Sequence, residues 1–210
     1  MPASPATARD PEMVARTHAR RDRVLAFLRN VPGVVAGRLP DEFGIARPAK
    51  AYAARRLMEL CREDYLTKAE GQPGDDGERW PPLSRYTLHQ RRWKNRARGG
   101  KGDFRILIDE GNLLEACGPG EVSGGGLGTS YQPPAGQKAD LDVPGALEIS
   151  VTLDYAARHM GSGFGSDLGS PVPKRAPLPE EVPDAWLEEV AEAFGIGLAE
   201  GIADAIGRLR

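Results

Sequence analysis

Apolar positions recur at helical spacing in "RRDRVLAFLRN", where Val24, Leu25, Phe27 and Leu28 predict an amphipathic helix that "VPG" ends. In "VVAGRLPDEFGI", Leu39 and Phe43 stand four apart, Pro40 suits a first turn and Gly44 a stop, so a short second helix is expected. A third is predicted from Arg47 or Pro48 to Glu63. On its wheel Ala49, Ala53, Leu57 and Leu60 share one face, and Arg47, Ala51, Arg55, Met58 and Arg62 share the opposite one. The former face should pack and the latter should meet solvent, with Lys50 and Arg56 at the margins.

Beyond Asp64 the pattern changes. "YLTKAEG" reads as a strand, residues 71–84 as a polar Gly/Pro loop and "SRYTLHQ" as a returning strand. "RILIDEGNLLEAC" predicts a strand and a short helix, and "ALEISVTLDY" alternates Leu147, Ile149, Val151 and Leu153 as a strand does. Residues 118–137 and 161–182 are rich in Gly, Ser and Pro and are expected to be linkers, the first of them disordered. From Pro183 onward, Leu187, Val190, Phe194, Leu198, Ile202, Ile206 and Leu209 form one apolar stripe at three- and four-residue steps, which predicts a C-terminal amphipathic helix. Gly195, Gly197, Gly201 and Gly207 each weaken it by about 1 kcal/mol relative to Ala, so it needs a packing partner. Self-association through residues 183–210 and docking on the same chain are equal candidates.

Helix, helix, turn, longer helix and hairpin, carried by "LPDEFGI", "RRLMEL" and "DYLTK...RYTLH", resemble a winged helix-turn-helix DNA-binding domain over residues 18–92. That resemblance implies a third helix lying in the major groove, with Arg47 and Arg55 as base readers, Ala51 permitting close approach and Met58 touching a thymine methyl. Lys50, Arg62 and Arg85 would contact phosphate. The wing loop carries Asp75, Asp76 and Glu78, which leaves Arg79 and Arg85 as its candidate contacts. Next comes the sharpest charge run of the chain, Arg91, Arg92, Lys94, Arg96 and Arg98, in which Trp93 is available to stack or wedge.

Charge supports this division. Residues 1–100 hold 20 Lys and Arg against 12 Asp and Glu, whereas residues 101–210 hold 8 against 18, around a net charge of -2 for the chain. A basic half facing double-stranded DNA and an acidic half with a different task are therefore expected, a protein partner being one candidate for the latter. The expected layout is a flexible tail (1–16), the winged domain (17–92), a basic arm (93–102), small elements between linkers (103–182) and the C-terminal helix (183–210). In fold class this is α+β, with a partly disordered acidic region after the N-terminal domain.

Catalytic and metal chemistry find little support. The chain's two cysteines, Cys61 and Cys117, form no CxxC pair, and His18, His89 and His159 fall in no triad or metal-ligand pattern. "GPGEVSGGGLGTS" lacks the lysine of a phosphate loop. No enzyme activity, cofactor or metal is expected. Neither a signal-peptide core in residues 1–16 nor a membrane-spanning run is read, so the expected location is the cytoplasm. The function expected is sequence-specific DNA binding in transcription regulation, with a homodimer through residues 183–210 as one candidate assembly. A replication or partition factor and a protein-interaction module are the alternatives.

Overall fold

The computed structural model describes residues 46–97, 99, 103–124, 128–143, 146–153, 156–159, 175–179 and 181–208. The first two predicted helices, the N-terminal tail and Arg98 lie outside these residues. Within them the architecture is α+β, with two long helices, two shorter ones and two small antiparallel hairpins.

Helix α1 (Ala46–Ala69) is the centre of the fold. It does not stop near Glu63: the stretch expected to be a strand continues the helix. Ala54, Met58, Cys61, Tyr65 and Ala69 follow one another at helical steps and are all buried, so burial outweighs the strand preference of Tyr65-Leu66-Thr67. The helix ends where Gly71 adopts φ 79 and its N–H bonds back to the Lys68 carbonyl at 2.9 Å.

Helix α2 (Arg85–Ala97) replaces the expected returning strand. No wing hairpin forms from these two segments, and residues 93–97 belong to the helix rather than to a separate arm. Helix α3 (Asn112–Ala116) is the short helix expected, while residues 105–110 form turns instead of a strand. Strands β1 (Glu121–Ser123) and β2 (Ser130–Gln132) pair with Val122 opposite Tyr131. Part of the supposed Gly/Ser/Pro linker is therefore a hairpin. Its anchor is Tyr131, which is buried, accepts the Gly120 N–H and donates to Gln137 Oε1 at 2.9 Å. Strands β3 (Gln137–Asp140) and β4 (Glu148–Val151) make the second hairpin, the latter within the predicted strand. A 3-10 turn spans Ala156–His159.

Helix α4 (Asp184–Arg208) runs antiparallel to α1 in the most extensive contact between elements. Trp186 and Leu198 of α4 are almost wholly buried, and Gly195, Gly197 and Gly201 are buried with them. A Cβ at Gly197 would lie 2.6 Å from Pro48 O and 2.8 Å from Ala49 Cα, so glycine is what lets the two backbones meet. The partner that this glycine-rich helix needs is α1 of the same chain. Tyr52 donates to Glu200 at 2.7 Å, and Arg56 is paired with Glu189 at the other end of the contact.

Two apolar clusters result. One joins Ala51, Ala54, Met58 and Leu60 of α1 to Tyr131, Leu141 and Trp186. The other joins Tyr65 and Ala69 to Trp80, Ile106, Ile108, Leu113 and Cys117, with Tyr65 and Trp80 edge-to-face at 4.8 Å between ring centroids.

Candidate nucleic-acid interface

The expected reading helix is covered on two sides. Ala51 and Met58, expected to face outward, are buried because the hairpins pack on the face that α4 leaves open. Neither is placed to touch a base. The cations of α1 from Arg47 to Arg62 are exposed or half-buried, and most of them have partners in the chain. Arg47 pairs with Asp142 at 3.4 Å and Arg55 with Glu59 at 3.1 Å. Lys50 Nζ donates to the carbonyls of Leu141 at 2.8 Å and Val143 at 2.5 Å, closing the turn after β3. Arg62 is exposed, and its Nη1 lies 2.8 Å from where a Cβ on Gly118 would stand.

Helix α2 has the opposite character. Ser84 caps it: its Oγ accepts the Thr87 N–H at 3.1 Å, and Pro81-Pro82 precede it. Lys94 and Arg96 occupy the last turn, where cations complement the dipole, and Gly99 follows with φ 67. Thr87, Leu88, Arg91, Lys94 and Asn95 turn inward at helical spacing, but Arg91 is the only buried residue among them. Its Nη1 donates to the carbonyls of Arg105 at 2.6 Å and Ile108 at 2.8 Å. Lys94 pairs with Asp109 at 2.7 Å. Arg91, expected to follow phosphates, thus anchors the helix instead, because only a long cation could reach those carbonyls.

A second buried arginine secures the entry to α2. Arg175 donates from Nε to Pro81 O and from Nη2 to Pro82 O, both at 2.9 Å. Burial pushes its guanidinium below the ordinary arginine range, and the charge of Arg91 adds to that effect. Helix α2 is therefore clamped to the body by Arg91 and Arg175 on backbone carbonyls and by the Lys94–Asp109 ion pair, with few apolar contacts.

The other side of α2 is open. Arg85, His89, Arg92 and Arg96, at steps of four, three and four, form one exposed stripe. Tyr86, Gln90 and Trp93 form the neighbouring one; Tyr86 and Trp93 are each 69% exposed, and Gln90 Nε2 donates to the Tyr86 hydroxyl at 2.8 Å. Arg85, Arg92 and Arg96 have no ion pair or hydrogen bond with another described side chain. The helix contains five Lys and Arg and no acidic residue. Arg79, in the loop before it, is also exposed. Sequence reasoning includes every cation of this face but misses its form, and it does not single out Tyr86.

Other candidate chemistry is quiet. Both cysteines are buried and unpaired, and burial raises each thiol to about 12, which keeps them protonated and unreactive near neutral pH. Among the described residues no cluster of three His, Cys, Asp or Glu could hold a metal, and no helix is long and apolar enough to cross a membrane. Compared with known proteins, the chain matches no family model, no curated protein and no solved structure.

Proposed function

We propose that the protein binds double-stranded DNA through the outward face of α2 and acts as a transcriptional regulator. The observation that carries this reading is the stripe of Arg85, Arg92 and Arg96, which pair with no described side chain, on a helix whose other two cations, Arg91 and Lys94, are used up internally. A helix with almost no apolar packing gains little stability for the chain, and its polar clamps hold a fixed array of guanidinium groups toward solvent. Arginine in such an array suits phosphate and, in the major groove, the O6 and N7 of guanine. Relative to the winged-helix reading, the DNA contact moves one helix along the chain, from α1 to α2. Of the segments that carry the resemblance, "RRLMEL" is helical in α1, "DYLTK...RYTLH" forms no hairpin, and "LPDEFGI" lies outside the described residues.

The test is binding of duplex DNA across a salt series. Replacing Arg85, Arg92 and Arg96 by Gln should flatten the slope of log affinity against log salt by about 0.9 for each phosphate no longer neutralised, whereas Arg47→Gln with Arg55→Gln should leave it unchanged. Mapping of bound sites across the genome should then place them at promoters. A wild-type chain that fails to bind duplex even in low salt would overturn the proposal.

A further inference from the structure

Tyr86 and Trp93 are not explained by contacts to phosphate. They lie seven residues apart on one stripe, about 10 Å along the helix axis, and the arginines Arg85 and Arg92 next to them repeat at the same distance. Base pairs in a duplex rise about 3.4 Å per step, so that distance spans three steps. Each aromatic ring is thus paired with a cation that can hold the phosphate beside the base it meets. In an intact duplex the flat faces of the bases are covered by their neighbours, and an exposed ring has nothing to stack on. Where the stack is opened, a ring gains a face, and base-aromatic stacking is the usual use of aromatics interleaved with arginine. The Tyr86 ring is held for such a contact by its bond from Gln90.

Resting on the DNA-binding reading above, we infer that α2 recognises DNA whose base stack is opened, with Trp93 and Tyr86 stacking on bases exposed at kinked or unpaired steps. Opening a continuous duplex costs free energy that a pre-opened site does not demand. The chain should therefore prefer a duplex with unpaired bases at its centre over the same duplex fully paired. The fluorophore needed to observe it is built in: of the three tryptophans, Trp80 and Trp186 are buried and only Trp93 is exposed.

Affinities of the full chain for a thirty-base-pair duplex, fully paired or with three central mismatches, test this at fixed salt. The mismatched duplex should bind at least fivefold more tightly and should quench the exposed tryptophan, and Trp93→Ala should lose that preference while still binding the paired duplex. Tyr86→Leu should reduce the preference in part. Equal affinity for both duplexes, or an equal weakening on both from Trp93→Ala, would overturn the stacking inference and leave DNA binding intact. Absence of binding to either duplex would instead defeat the DNA-binding reading itself.

Discussion

Arg91 Nη1 lies 2.8 Å from the carbonyl oxygen of Ile108, and the same turn receives the Tyr65 hydroxyl at Leu107 O, 3.0 Å away. Helices α1 and α2 thus hold one turn from two sides, and Leu107 within it adopts φ 58, a left-handed conformation that a leucine rarely takes. The position of the proposed DNA face depends on this buried cation.

Arg91→Met keeps the length of the side chain and removes its donors. Left without them, the carbonyls of Arg105 and Ile108 lose charge-assisted bonds, and we expect about 2–3 kcal/mol lower stability in urea unfolding. Arg92→Gln, one residue away on the exposed stripe, should stay within about 0.5 kcal/mol of wild type. The two substitutions separate anchoring from binding: the latter should weaken DNA binding without touching stability.

How much of this could be read in the sequence depends on what holds each element. Helix α4 is legible because its apolar residues recur at helical steps, but the surface that receives it is not, since α1 presents mainly alanines there. The start of α1 is legible too. Its end is missed because Tyr65, Leu66 and Thr67 favour strand locally, and the burial of Tyr65 against Trp80 that overrides this preference is a long-range fact. In α2, Tyr86 and Leu88 suggest alternation. The Ser84 cap and the helical spacing of Leu88, Arg91 and Asn95 are present, yet a hydrophobic pattern cannot register an inward-facing arginine. Likewise the β1–β2 hairpin is set by the bonds of Tyr131 and Gln137, which no run of apolar residues announces.

Lys68 is almost wholly buried between Asp64, at 2.9 Å, and Asp76, and its removal leaves two carboxylates without their cation. Lys68→Met should therefore cost about 3 kcal/mol or more. The pH dependence has a definite sign. Burial alone would lower the ammonium pKa, but the bonds to Asp76 and Asp64 outweigh it and hold the group above the ordinary lysine range. A folded-state value raised above the unfolded one gives a contribution complete below about pH 10.4 and lost as pH rises through the folded value. Urea midpoints measured between pH 8 and pH 11 should fall at the alkaline end for wild type, and Lys68→Met should lack that part of the fall.

Gly197→Ala tests the closeness of the two long helices. On helix propensity alone the change should stabilise α4 by about 1 kcal/mol. Against that, the new Cβ would meet the backbone of Pro48 and Ala49, which cannot rotate away as a side chain can. Separation of α1 from α4 would loosen the packing of Trp186 and Leu198, so the net effect should be destabilisation by about 1–3 kcal/mol. A stability equal to or above wild type in thermal unfolding would show that the contact yields easily.

Deletion of residues 176–210 decides between the two uses expected of the C-terminal stripe. If the stripe served self-association alone, the deletion would turn a folded dimer into a folded monomer. In the structure Trp186 instead joins the cluster of Ala51, Met58 and Leu141, and Gly197 sits on Pro48 and Ala49, so deletion uncovers the central helix along much of its length. Alanines on a newly exposed face have little to bury against, and the apolar cluster loses its largest side chain. The shortened chain should therefore unfold without a cooperative transition in urea and lose its near-ultraviolet dichroism, rather than only halve its mass in sedimentation. Retention of a sharp transition together with a halved mass would mean that the helix covers α1 dispensably and that its main partner is a second copy of the chain.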